Sequence, residues 1–263
     1  MNISRRNFVK IVPLGALIPQ QVLSSLADGK TNTLASELLY RKIDKLYDQA
    51  IVIDGIVITR NWNAKSDEAL ANSGYTGFNA SLDSGSLKRA LVSLSDWHMR
   101  ITDNPDRFIT ATKADDFIRA KKEGKVAVMM GFQNTTPLEN SIDNMDILYQ
   151  AGTRWMQLTY NQRNLVGDGC TERTNVGLSD YGIEVVERMN ELGIIVDLSH
   201  CGQATTNDGI KFSKAGASIN HSMCEALHKN HPRAKTDQQI RAMADKGGVI
   251  GIISLGYMIG PNL

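Results

Sequence analysis

Cysteine is scarce in this chain: three residues among 263, and no CxxC pair. A disulfide scaffold and a structural zinc knuckle are both excluded on that count. Charge of one sign is lacking too, with Lys+Arg 29 against Asp+Glu 28, so no basic field exists for binding nucleic acid through its phosphates. Aromatic residues make up 6% and histidines number five. No apolar run approaches the roughly 20 residues that a membrane-spanning helix needs. What is abundant is hydrophobic residue in general, 42% of the chain, which is enough for one large core and too much for a disordered polymer.

The amino terminus reads as an address. Ser4-Arg5-Arg6-Asn7-Phe8-Val9-Lys10 precedes a short apolar stretch from Ile11 to Ile18 and a small-residue site at Ser25-Leu26-Ala27. This is the pattern of a twin-arginine export signal, so residues 1–27 are expected to be a signal peptide and the mature protein is expected in the periplasm. The competing reading is a basic amphipathic first helix of the folded domain.

From residue 28 onward, strands and helices alternate. Apolar runs of strand length lie at Ala50–Asp54, Gly77–Leu82, Lys125–Gly131, Arg154–Thr159, Ile194–Leu198, Ala217–Asn220 and Gly248–Ile253. Helical patterns at Ala114–Lys122, Ser141–Ala151 and Tyr181–Leu192 stop at Gly124, Gly152 and Gly193. Repeated β/α units with near-continuous apolar strands predict a parallel sheet covered by helices. The Asp54-Gly55 turn carries no GxGxxG, which disfavours a doubly wound dinucleotide fold. Gln133, Tyr160, His200 and His221 fall just past strand ends, where a (β/α)8 TIM barrel builds its catalytic face. After the seventh strand only Ser254–Leu263 remain, so the expected barrel ends one unit short, as a fragment or as a form with an open seam. An open seam would expose the edges of the first and seventh strands.

His200 and His221 end successive strands, and adjacent strands lie about 5 Å apart. Two neutral imidazoles at matching heights suit zinc or another first-row divalent ion. For either histidine alone, a hydrogen-bonded strand-end residue is the simpler reading; the pair favours a site.

These motifs carry a resemblance. Asp197-Leu198-Ser199-His200, then His221-Ser222, His231-Pro232-Arg233 and Asp237 are similar to the membrane (renal) dipeptidase family, peptidase family M19. Gly152–Asn161 and the helix Val185–Gly193 resemble it as well, and the match runs from about Val126 to Ile253. The resemblance implies a metal-dependent hydrolase barrel with two zinc ions, in which a bridging water attacks the peptide bond of a dipeptide. It implies that His200 and His221 hold one zinc, that Arg233 binds the substrate carboxylate, and that Tyr160 takes the place of a substrate-polarising histidine. Gln133 falls where the family has a bridging glutamate. Ile56-Val57-Ile58 stand where the family has His-x-Asp. A neutral amide bridges two cations poorly and isoleucine not at all, so one zinc ion is expected rather than two.

The expected function is dipeptide hydrolysis by metal-activated water. The alternatives are a catalytically impaired relative that binds a peptide-like ligand, and an amidohydrolase acting on a non-peptide amide. The expected partners are a small dipeptide-like substrate and a second copy of the chain in a homodimer, with neither nucleic acid nor a stable membrane span involved.

Other residues have two readings each. Asp168, Cys170 and Glu172 in the polar loop after the fourth strand supply replacement ligands or contact substrate, or belong to a hydrogen-bonded surface loop turning at Asp168-Gly169. Cys201 and Cys224 read as packing residues rather than nucleophiles. Asp197 orients an imidazole or bonds within the barrel. His98 reads as solvated, His228 and His231 as surface residues or substrate contacts, and Trp62, Trp97 and Trp155 as core or rim.

Overall fold

The computed structural model describes residues 33–259. The expected signal at residues 1–27 lies outside the described residues. A helix α1 (Thr33–Gln49) lies in one unit of the chain, and Ile51 onward forms another. No described helix is long and apolar enough to cross a membrane.

The second unit runs β1 (Ile53–Ile58), α2 (Ala64–Ser73), β2 (Gly77–Leu82), α3 (Leu87–Asp103), β3 (Phe108–Thr110), α4 (Ala114–Glu123) and β4 (Val126–Phe132). It continues through α5 (Asn144–Gln150), β5 (Trp155–Gln157), α6 (Asp180–Leu192), β6 (Ile195–Asp197), α7 (Gln203–Phe212), β7 (Ser218–Ser222), α8 (Asp237–Asp245), β8 (Val249–Ile252) and α9 (Gly256–Ile259). All ladders are parallel, in the order β1-β2-β4-β5-β6-β7-β8. The short β3 sits off this path against the start of β4. Seven strands therefore curve into a nearly closed (β/α) barrel, as the alternating pattern predicts.

Boundaries follow local chemistry. Gly124 and Gly193 end α4 and α6 in left-handed geometry that a residue with a Cβ adopts only at a cost. Thr236 and Gln239 cap α8 reciprocally. The first strand starts three residues later than its apolar run suggests and takes in Ile56-Val57-Ile58. Its ladder with β2 is irregular between Asp54 and Val57, and the Asp54 carboxylate accepts a hydrogen bond from Ile56 N at 2.9 Å. An apolar run alone does not fix such a register.

The core lies between sheet and helices. Phe78, Ala80 and Leu82 of β2, Val128, Met130 and Phe132 of β4, and Val196 and Leu198 at β6 pack with Leu94, Trp97, Val185 and Met189. Trp62, Trp97, Phe78 and Phe108 form one aromatic cluster at centroid distances of 5.1–6.3 Å. His98, expected to be solvated, instead packs half-buried with Nε2 2.8 Å from the Ala151 carbonyl, where its helix meets the end of α5.

Because side chains alternate along a strand, the residues between the core positions point into the barrel, and there they are polar: Asn79, Ser81, Gln133, Gln157, Asp197 and Ser199 are all buried. The path is open between β1 and β8, and β1 approaches β7 instead. A Cβ on Gly55 or on Gly251 would collide with the Asn220 carbonyl oxygen, so glycine is required on both sides of it. Ile53, Ile58, Val249 and Ile252 on the two edge strands remain exposed.

Candidate active site

The site is assembled where β5, β6 and β7 end. His200 follows β6 by three residues and His221 lies within β7; both are buried, at 4% and 6% exposure. Their Nε2 atoms face each other at 3.0 Å. Burial pushes both imidazoles well below the usual histidine range, His221 to about 3, and the Arg233 charge pushes the same way. Both rings are therefore neutral at physiological pH, the form that ligates metals.

His200 is held on two sides. The Tyr160 ring stacks on it at 4.1 Å and 20°, and Asn161 Oδ1 lies 2.6 Å from its Nδ1. The same Asn161 oxygen accepts from Cys170 Sγ at 3.6 Å, while Cys170 N donates to the His200 carbonyl at 2.8 Å. His221 is held differently. Its backbone N–H donates to Ser199 Oγ, which donates in turn to Asp197, but its Nδ1 is buried without a partner among the described residues.

Arg233 donates from Nη2 to the His221 carbonyl at 2.6 Å and from Nη1 to Met258 Sδ, and its Nε is buried and unpartnered. No described carboxylate forms an ion pair with it. Desolvation lowers its pKa. Such a guanidinium is suited to receive a carboxylate in fork geometry.

Gln133 is buried after β4; its side-chain amide donates to Ser81 Oγ at 2.9 Å, and its backbone carbonyl accepts from Gln157 Nε2. Asp168 departs from both of its sequence readings. It is fully buried, and its carboxylate takes Arg163 Nε at 2.6 Å with Thr174 Oγ1 and Val176 N at 3.0 Å each. It organises the loop from inside, so it is neither a surface turn nor available to a metal. Glu172 is likewise engaged, by the backbone N–H groups of Arg163 and Arg173. Asp197 bonds within the barrel, to Ser199 and to Asn220 N, and burial raises its carboxyl to about 6.

Cys201 is a core residue whose thiol burial pushes up to about 11. Cys224 is half-buried and joins the chain beside Lys235 through a β-bridge. The half-buried His228 and His231 rings lie against each other, tilted by 52° at 4.9 Å between centroids, and His228 Nδ1 lies 3.3 Å from the Met258 carbonyl. A cavity of about 690 Å³ opens beside the ends of β1 and β2, lined by Thr59, Arg60, Trp62, Asp83 and Arg89 among others, and it includes none of the sequence-predicted site residues.

Two residues of this neighbourhood have little signal in the sequence. Asn161 is marked only by its place next to Tyr160. Lys235 is 1% exposed and donates to the Cys201 carbonyl and to Thr206 Oγ1, both at 3.0 Å. A lysine two residues past Arg233 reads as solvent-facing until the fold buries it.

The donor set tests the metal directly. Two neutral Nε2 atoms at 3.0 Å fit two ligand positions of one ion, whose bonds to nitrogen run about 2.0–2.1 Å. Among the described residues, no group of three or more His, Cys, Asp or Glu side chains could hold a metal, so the two imidazoles are the ligand positions that this part of the barrel offers.

A nearly closed parallel barrel with paired histidines at its strand ends belongs to the metal-dependent hydrolase class of TIM-like folds. The family follows from comparison. Residues 45–262 match the model of the membrane dipeptidase family (peptidase family M19), and the chain belongs to that family. It is similar to dipeptidase verJ of Clonostachys rogersoniana, 31% identical over 64% of this chain and 43% of that protein. Among solved structures it is similar to an amidohydrolase from Pseudomonas aeruginosa, with 35% identity, TM-score 0.74, and coverage of 80% of this chain and 64% of that one. It shares its fold with the probable dipeptidase PvdM from the same organism, at 20% identity, TM-score 0.76, and 84% and 64% coverage. The chain thus spans less than half of that dipeptidase relative and about two thirds of the two solved chains.

Proposed function

We propose that this protein hydrolyses the peptide bond of dipeptides at a mononuclear zinc site formed by His200 and His221, in the periplasm. The observation that carries the reading is the convergence of two neutral imidazoles beside a cationic Arg233 that has no carboxylate partner among the described residues. Zinc supplies a Lewis acid and a nucleophilic water at neutral pH when bound. The chain's own residues do the rest. Arg233 takes the free carboxylate of the substrate, fixing which end enters. The Tyr160 phenol, 40% exposed above His200, donates a hydrogen bond to the scissile carbonyl oxygen. Gln133, anchored by Ser81 just past β4, presents a neutral amide where a carboxylate would draw a second ion.

Dipeptide turnover together with zinc content tests this. His200→Ala and His221→Ala are expected to lose both, and retention of turnover in either variant would defeat the assignment. One observation favours a second reading, a relative that binds a peptide-like ligand without cleaving it: no third ligand completes the set among the described residues. Dipeptide binding with no metal and no turnover would select that reading. Ser4-Arg5-Arg6 supports twin-arginine export, and replacing both arginines by lysine is expected to leave the protein in the cytoplasm.

A further inference from the structure

His200 and His221 look equivalent in the sequence, since each ends a strand. Their surroundings are not. An amide oxygen can only accept a hydrogen bond, so the 2.6 Å contact from His200 Nδ1 to Asn161 Oδ1 places the His200 proton on Nδ1. Its Nε2 then carries a bare lone pair, directed at His221. That assignment of the Asn161 amide is reinforced by the second donor on the same oxygen, the Cys170 thiol at 3.6 Å.

Asn161 is itself immobilised. Its backbone carbonyl accepts from both Thr171 N and Thr171 Oγ1 at 2.8 Å, and the chain at Gly169 passes so close that any Cβ there would strike the Tyr160 and Asn161 carbonyl groups. The preceding residue, Tyr160, closes on the His200 ring face. Loop 160–171 thus grips one imidazole at its face and at its rear nitrogen. On the other ring, Nδ1 has no partner among the described residues.

We propose that Asn161 is the positioning residue of this centre: it locks His200 in the tautomer that offers Nε2. The consequence for zinc rests on the proposed function; the tautomer does not.

The experiment therefore has two arms. Nitrogen-15 NMR of the histidine rings in the full chain, prepared without metal, is expected to show His200 protonated at Nδ1. Finding His200 protonated at Nε2 overturns the proposal whatever the protein does with metal. The second arm titrates zinc against a chromophoric chelator. Asn161→Ala, folded by circular dichroism, is expected to bind zinc about 10–100-fold more weakly, the range for lost outer contacts to a ligating histidine. Asn161→Asp keeps the acceptor and is expected to restore affinity. Equal affinity in wild type and Asn161→Ala, or failure of Asn161→Asp to recover it, overturns the proposal. Wild type that binds no zinc at all would sink the proposed function instead, leaving the NMR arm to decide the tautomer.

Discussion

Arg233 donates from Nη2 to the backbone carbonyl of His221 at 2.6 Å, so the site's cation and one of its two imidazoles are mechanically one piece. The guanidinium is half-buried, and its Nε has no partner. Holding β7 and receiving a substrate carboxylate are compatible roles, because a guanidinium has five N–H donors.

Those roles separate by substrate. Arg233→Met is expected to raise KM for a dipeptide with a free carboxylate by about 10–100-fold, from the loss of a charge-assisted contact of roughly 1.5–3 kcal/mol. The same dipeptide with an amidated carboxyl end should be nearly indifferent to the change. An equal loss for both would show that Arg233 serves only to hold His221.

Gln133 offers a test of metal stoichiometry. Its amide donates to Ser81 Oγ in a buried setting, and a glutamate cannot make that bond as a donor. Gln133→Glu is expected to lower the stability of the metal-free protein by about 1–2 kcal/mol and to tighten zinc binding. Thermal melts with and without zinc would read both effects. A Tm that responds to zinc no more than wild type does would remove Gln133 from the metal's surroundings.

Much of the fold was legible because it is periodic. Each of the seven barrel strands was visible as an apolar run, and Gly124 and Gly193 stopped α4 and α6 where expected. The strand Phe108–Thr110 was not, being three residues long and paired only with the start of β4. Of the site, Gln133, Tyr160, His200 and His221 could be named because they are polar residues just past strand ends, whereas Arg233, in the loop between β7 and α8, could be named only through the family resemblance. Asn161 and Lys235 could not, since their roles depend on where a loop folds back. Asp168 shows the same limit in reverse. Its Asp-Gly context reads as a turn, yet the loop closes over it.

Asp168 should be a stability residue. Its carboxylate satisfies Val176 N, Thr174 Oγ1 and Arg163 Nε, and the Arg163 hydrogen bond holds its pKa below the usual carboxylate range. Asp168→Ala leaves those donors without their acceptor and is expected to cost roughly 2–3 kcal/mol. Arg163→Ala should cost less, because that side chain is half exposed to water. A lowered folded pKa means this stabilisation is present above the unfolded value and is lost as pH falls through the folded one. Urea melts of both variants would settle the order, and equal losses would contradict it.

Lys235 should give the protein an unusual alkaline profile. It is fully buried, and desolvation lowers its pKa from 10.5 to about 8. The unfolded chain keeps the proton up to about 10.5, so between those values it binds more protons than the folded chain. Stability is therefore expected to rise with pH across that window, by on the order of 3 kcal/mol at most. Other groups titrate there too, and the variant Lys235→Met isolates the contribution, because it keeps the buried stem and has no proton to lose. The difference in unfolding free energy, wild type minus variant, should increase from pH 8 to pH 10.5 and then level. A flat difference would mean that the ammonium keeps its charge in the folded state, stabilised by the Cys201 carbonyl and Thr206 hydroxyl that it contacts.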